Sequence, residues 1–210
     1  MGMIRIELRD IGKKFNTEWI FRKVSFTFME NSTSAILGRN GSGKSTLLQV
    51  VAGNLHPNAG EVVYTINGKS IQGNDIFRHL SMVAPYLELI EDFTLQEMLE
   101  FHFSFKRFLP GFDIPAATEL LGFANVKHKQ IRQFSSGMKQ RVKLLTAILS
   151  DVPLLLLDEP TMNLDTAGIE WYLGLVGKYA GNRTTIICSN LHQTESAFAS
   201  RSLQIEDYKG

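Results

Sequence analysis

Cysteine is almost missing from this chain of 210 residues: there is one, Cys188. A single thiol excludes an internal disulfide, and its place in the apolar run TTIICS predicts a buried, inert side chain. Long hydrophobic runs are missing too. The longest span a few residues, as in LLLL at 154–157, far short of the roughly 20 that a membrane-crossing helix needs. If the protein works at a membrane, another chain supplies the membrane part. Neither sign of charge dominates: 22 Lys and Arg against 21 Asp and Glu leave a net charge of +1, so nothing in the totals calls for nucleic acid or an anionic surface. The histidines have no metal-site spacing, and there is no CxxC, heptad pattern, internal repeat or low-complexity tract. The start, MGMIRIELRD, lacks the apolar core of a secretion signal, and Gly2 lacks the Ser or Thr of a myristoylation signal.

What is present is an ordinary globular composition, 44% hydrophobic and 20% charged, on a chain long enough for one core or a core plus a small subdomain. IRIEL (4–8) and VSFTF (24–28) alternate with period two and predict strands. TSAIL (33–37) is a short apolar strand running into a glycine-rich stretch, and a helix is expected from Lys44 to about Ala52. EVVYTING (61–68) predicts a strand ending at an Asn-Gly turn, and LSMVA (80–84) another strand. The middle of the chain changes character. Thr94 with Glu97 three residues on predicts a capped helix that Pro110-Gly111 ends. A second helix is expected around 116–121, with Phe101, Phe103, Phe105 and Phe108 as small-domain core. Then come a helix from about Ser136 to Leu149 and the continuous apolar strand PLLLLDE (153–159), of the kind buried on both faces of a parallel sheet. A helix near 167–179, the strand TTIIC (184–188), a helix near Gln193–Ser200 and the strand SLQIE (202–206) complete an alternating α/β pattern.

Two motifs carry chemistry. Gly38-Arg39-Asn40-Gly41-Ser42-Gly43-Lys44-Ser45, with Thr46 next, fits G-x-x-x-x-G-K-[ST] between a strand and a helix. The glycines let the backbone aim N–H groups at phosphate, and the helix adds its positive end. Lys44 is placed to reach the β- and γ-phosphates and Ser45 to bind Mg²⁺. The strand at 154–157 ends in Asp158-Glu159, at the sheet edge where ligands of α/β proteins sit. Asp158 can hold Mg²⁺ through its water, and Glu159 can polarise an attacking water.

Between these motifs lies FSSGMKQR (134–141), and after them come Pro160-Thr161 and Asn163-Leu164-Asp165. This order, over almost the whole chain, resembles the ABC ATPases, the nucleotide-binding subunits of ABC transporters. The resemblance implies a P-loop NTPase core with an antiparallel β subdomain (1–84 and 151–210) and an inserted helical subdomain (85–150). It implies that Phe15, or less readily Trp19, stacks on adenine. Ser135, Ser136 and Gly137 match the signature that contacts ATP held by a second subunit, homodimeric or heterodimeric, and Asp165 matches the loop that spans the dimer interface. It also implies ATP and Mg²⁺ as cofactors, an integral membrane permease as partner, no nucleic acid, and a place on the cytoplasmic face of the membrane. Lys127, Lys129, Arg132, Lys139, Arg141 and Lys143 form a basic run around the signature, either a solvated face or a focus for phosphate charge.

The chain departs from that family at three points. Ser136 and Met138 replace a glycine and a glutamine of the signature. Pro85 stands where the family has a glutamine that meets Mg²⁺ and the attacking water, and proline has no side-chain donor. Asn190 stands where it has a γ-phosphate histidine; its amide can donate but is shorter and uncharged. His192 could substitute if its loop were reshaped. The expected outcome is intact ATP binding with slow hydrolysis by Glu159, Lys44 and Asn190, in the ATPase subunit of a transporter. Tyr86, Leu87, Leu89 and Ile90 would then be a docking patch or ordinary core. The alternatives are a soluble ABC ATPase and a nucleotide-gated clamp with little turnover.

Overall fold

Alternating apolar residues over the first thirty positions produce two long antiparallel strands, whose inward faces supply one side of a core. The computed structural model describes residues 2–190 and 197–209. In chain order the elements are β1 (Ile4–Phe15), β2 (Glu18–Phe28), β3 (Thr33–Leu37), α1 (Lys44–Val51), β4 (Ala59–Ile66), β5 (Lys69–Ile71), β6 (Leu80–Val83), α2 (Leu95–Phe105), α3 (Ile114–Leu121), α4 (Ser136–Ile148), β7 (Leu154–Asp158), α5 (Thr166–Tyr179), β8 (Thr184–Ser189) and β9 (Arg201–Gln204). They divide into two compact units, Met1–Ala84 with Val152–Glu159 and Ala180–Gly210, and Pro85–Asp151 with Pro160–Tyr179. Contacts thus place Pro160–Tyr179 with the helical insertion rather than with the rest of 151–210.

The first unit holds both sheets. One is antiparallel, in the order β2-β1-β4-β5; the other is parallel, in the order β6-β7-β8-β3-β9. Ile4, Ile6 and Leu8 of β1 face inward with Phe21, Val24 and Phe28 of β2. They share one core with Leu47, Leu48, Val50 and Val51 of α1 and with β3, β7 and β8. Tyr64 of β4 ties the antiparallel sheet to the end of α1, its hydroxyl donating to Val51 O at 3.0 Å. Burial pushes that phenol up to about 12. Asn67 and Gly68, with φ of 49° and 77°, form the predicted tight turn between β4 and β5. Every residue of β7 and β8 is buried, as a continuous apolar run inside a parallel sheet must be. Cys188, on β8, is buried among them. The pairs Leu37↔Ser189 and Asp158↔Cys188 align the carboxyl ends of β3, β8 and β7, so the segments leaving these three strands emerge at one edge of the sheet.

The second unit is helical. Its core joins Leu95 and Leu99 of α2, Leu121 of α3 and Val142, Leu145 and Leu149 at α4, with Trp171 and Tyr179 of α5 packed against it. Thr94 caps α2 with the full capping box: its hydroxyl accepts from Glu97 N at 3.2 Å while Thr94 N donates to Glu97 Oε2 at 2.8 Å. Among the described residues no helix is long and apolar enough to cross a membrane.

Several expectations are corrected here. Helix α2 stops at Phe105, before Pro110-Gly111, because the next stretch of chain pairs with the segment after α4: Leu109 N donates to Leu149 O and Asp151 N to Arg107 O, both at 2.8 Å. Helix α3 starts earlier, at Ile114, because Asp113 Oδ1 accepts from Ala116 N at 2.9 Å. Phe103 and Phe108 stack at the core margin, but Phe101 and Phe105 face solvent, Phe105 at 74% exposure. Strand β9 ends at Gln204 and the chain enters a 3-10 turn, Ile205–Tyr208. Of the helix expected near Gln193–Ser200, Gln193–Ser196 lies outside the described residues, as does His192, and Ala197–Ser200 is turn and bend.

Candidate functional site

The phosphate-loop segment leaves β3 at Gly38 and wraps into α1. Its glycines take φ of 155°, 75° and 105° at Gly38, Gly41 and Gly43, the last two in the left-handed region that disfavours any side chain. Gly43 is the N-cap of α1, and Leu47 N donates back to Gly43 O at 2.9 Å to start the helix. The loop is tightened by Ser42 N donating to Arg39 O at 3.1 Å. Lys44 is only 4% exposed, and its ammonium donates to Gly38 O at 2.8 Å and Arg39 O at 3.0 Å. The side chain thus lies along the loop with its charge at the rim, where the residues Asn40 to Thr46 line a cavity of about 300 Å³ together with Ile20 and Glu159.

Glu159 reaches that cavity through an unusual backbone. Its N–H still continues the ladder, donating to Cys188 O at 3.1 Å, while its φ of 46° turns the chain as β7 ends. Asp158, one residue earlier, is buried at the end of β7. Asn190 comes directly after β8 and donates from Nδ2 to Asn40 Oδ1 at 3.3 Å, so it touches the loop directly. Phe15 ends β1 with its ring exposed and Lys13 Nζ 5.3 Å from the ring centroid. The indole of Trp19 is occupied differently: Arg22 and Lys14 sit 4.8 and 5.4 Å from its centroid.

The signature segment builds a second cavity of about 300 Å³ in the helical unit, lined by Ser135, Ser136, Gly137, Met138 and Arg141 and by Asn163, Leu164 and Asp165. Ser135 is the N-cap of α4 and its hydroxyl accepts from Met138 N at 3.2 Å. A side chain at position 137 would come within 3.0 Å of Asn163 O, so the glycine allows the close approach of the two segments. Asp165 caps the next helix, Oδ1 accepting from Gly168 N at 2.7 Å. Gln140 Nε2 donates to Pro160 O at 2.8 Å and holds the same two stretches together from below.

The basic run around the signature is not one free patch. Lys139 pairs with Glu91, whose carboxyl it holds below its ordinary range, and Arg132 pairs with Asp92 at 3.4 Å. The Arg141 guanidinium lies over Trp171 and Phe123, with centroid distances of 4.5 and 5.3 Å. Burial lowers its pKa, and the charge of Asp165 opposes that shift. Pro85 is half-buried, and of the apolar group beyond it Tyr86, Leu87 and Ile90 are exposed while Leu89 is buried. Among the residues at the loop that belong to no motif are Ile20, which lines the cavity, and Glu206, which meets the loop at Arg39. Neither is signalled by local spacing; Glu206 is 167 residues from Arg39 along the chain.

A parallel sheet in which an inner strand, β3, opens into a glycine loop over a largely buried helix defines a P-loop nucleotide-binding protein. The pattern of the ABC transporter family matches residues 21–162. CcmA of Agrobacterium fabrum, a cytochrome c biogenesis ATP-binding export protein, is 30% identical over 96% of this chain and 95% of its own length. YybJ of Bacillus subtilis, an uncharacterized ABC transporter ATP-binding protein, is 27% identical over 90% of this chain and 87% of its own. A bacterial ABC transporter cassette solved as a dimer superposes with a TM-score of 0.77 over 96% of this chain and 95% of that one, at 22% identity. The chain belongs to the ABC transporter family, as an ATP-binding subunit of the ATPase class with the ABC cassette fold.

Proposed function

We propose that this chain binds Mg-ATP with the loop Gly38–Thr46, that a second subunit closes the site with its Ser135–Gly137 segment and Asp165, and that hydrolysis drives transport through a separate membrane subunit. The observation that carries this reading is that the phosphate loop, Lys44, Ser45 and Glu159 line one cavity. The second subunit is a copy of this chain or a related cassette, and Phe15 offers its exposed ring to adenine.

The donor set fits Mg²⁺: a buried carboxylate, Asp158, and a hydroxyl, Ser45, are hard oxygen ligands, and phosphate supplies others. The bound ion neutralises charge on the phosphates. Lys44 exchanges the carbonyls of Gly38 and Arg39 for phosphate oxygens. Glu159 orients the attacking water and accepts its proton. Asn190 offers one neutral donor to the γ-phosphate, and Pro85 offers none. Losing one positioned transition-state donor costs ~10²–10³ in rate, so turnover is slow.

The exposed Tyr86, Leu87, Ile90, Phe101 and Phe105 belong to the helical unit and offer apolar side chains to the membrane subunit. That partner places this chain on the cytoplasmic side of a membrane, and the name of the Agrobacterium relative favours export. Single-turnover hydrolysis by the wild type, Glu159→Gln and Asn190→His tests the chemistry. Glu159→Gln is expected to bind ATP and hydrolyse at least about 10²-fold more slowly, and Asn190→His about tenfold faster than wild type. Hydrolysis indifferent to Glu159 would sink the catalytic reading. Copurification of a multispanning membrane protein, lost in Tyr86→Glu with Leu87→Glu, tests the docking.

A further inference from the structure

The last strand stops early, and where it stops matters. Gln204 of β9 pairs with Leu37 of β3, the residue just before the phosphate loop. Had the strand run on, the next side chains would have continued along the sheet edge. Instead the 3-10 turn Ile205–Tyr208 folds the chain against the loop. Ile205 is fully buried and lies under the loop: a Cβ on Gly38 would meet its Cγ2 at 2.7 Å, and one on Gly43 would stand 3.9 Å from its Cγ1. Glu206 then reaches the rim. Its Oε1 accepts from Arg39 N at 3.3 Å and lies 3.9 Å from Arg39 Nε.

We infer that Glu206 is a positioning residue for the phosphate loop, acting through the backbone N–H of Arg39. This rests on the ATP-binding reading above. The magnitudes separate its two contacts. The Arg39 side chain is 85% exposed, and an ion pair so placed contributes little. The charge-assisted bond to the backbone fixes the first residue after the entry glycine, and so the curvature that aims the later N–H groups. Arg39 N precedes the stretch Asn40–Thr46 that lines the cavity, so the carboxylate holds a donor outside that lining. Glu206 therefore supports the loop rather than competing for its ligand.

The test is direct binding of Mg-ADP and Mg-ATP by titration calorimetry, with steady-state KM and kcat, for wild type, Glu206→Gln, Glu206→Ala and Arg39→Ala. Glu206→Gln keeps an acceptor for Arg39 N and is expected to stay within about twofold of wild type. Glu206→Ala is expected to weaken nucleotide binding and raise KM about three- to tenfold, with kcat within twofold and thermal midpoint unchanged. Arg39→Ala keeps the backbone N–H, so adding Glu206→Ala to it is expected to weaken binding and raise KM by about a further three- to tenfold, whatever Arg39→Ala does alone. Wild-type KM in Glu206→Ala overturns the inference, and so does tighter binding, which would mean repulsion of phosphate. A double variant no worse than Arg39→Ala alone assigns the effect to the ion pair and also overturns it. If the wild type itself binds no nucleotide, it is the function above that fails.

Discussion

Two helix N-termini, one in each unit, present donors at a cavity of about 300 Å³, and they are built by opposite means. At α1 the cap is Gly43, in a left-handed conformation and with no side chain to satisfy the first-turn N–H groups. At α4 the cap is Ser135, whose hydroxyl already accepts from Met138 N. The glycine-built end leaves its donors for a ligand and surrounds them with a lysine and a carboxylate. The serine-built end has met part of its own demand and has Arg141 drawn aside over aromatic rings. A ligand phosphate therefore gains more at the first end than at the second. Under the proposed function, affinity belongs to the loop, and the signature end contributes once a nucleotide is in place.

Removing the charge at the stronger end breaks the comparison most severely. Lys44→Ala is expected to lower ATP turnover by about 10²-fold or more and to weaken ATP binding, measured by phosphate release and calorimetry. If turnover survives, the lysine's place at the rim has no catalytic meaning. Acid should separate the two units next. His102 of α2 lies in the helical core, 3.0 Å from Ser150 Oγ, and burial first, then the charge of Lys106, lowers its pKa to about 4 from an ordinary 6.5. Above pH 6.5 the imidazole is neutral folded or unfolded and contributes no pH dependence. Below it the unfolded chain takes up a proton that the folded chain refuses until about pH 4, so stability is lost across that window, by up to roughly 3 kcal/mol. Urea midpoints at pH 7 and pH 5 should differ less in His102→Gln than in wild type. The smallest effect is at the weaker end. Ser135→Ala should cost about 1 kcal/mol of stability by urea titration, while ATP binding to the single subunit stays within about twofold. A large loss of binding there would reverse the ranking of the two termini.

Much of this was legible in the residues because its causes are local. The strand Thr33–Leu37, the glycine loop and the start of α1 at Lys44 lie where strand propensity, glycine spacing and the adjoining helix predict them. The capping box at Thr94 and the turn at Asn67-Gly68 are likewise complete within a few residues. What was not legible depended on distant partners. Helix α2 ends early because residues after α4 offer backbone bonds to Leu109 and Arg107. Phe105 looked like core because it is aromatic, but its position on α2 points it to solvent. The basic run left open a solvated face or a focus for phosphate charge, and its spacing gave no sign that Glu91 and Asp92, forty or more residues earlier along the chain, pair with two of its members.

By itself the sequence determined the class of chemistry: a glycine loop, a lysine, a hydroxyl and an acid-tipped apolar strand admit few uses other than gripping phosphate. Those residues act through backbone geometry and bond chemistry that their neighbours already specify. Only the tertiary structure decided which other groups share the grip. The family resemblance had already placed Asn190 beside the γ-phosphate, but its contact with Asn40 comes from the parallel pairing of β3 with β8; Glu206, which no motif named, is brought to Arg39 by the pairing of β3 with β9. Such contacts arise from strand order, and no local pattern of residues records which strand will lie beside which.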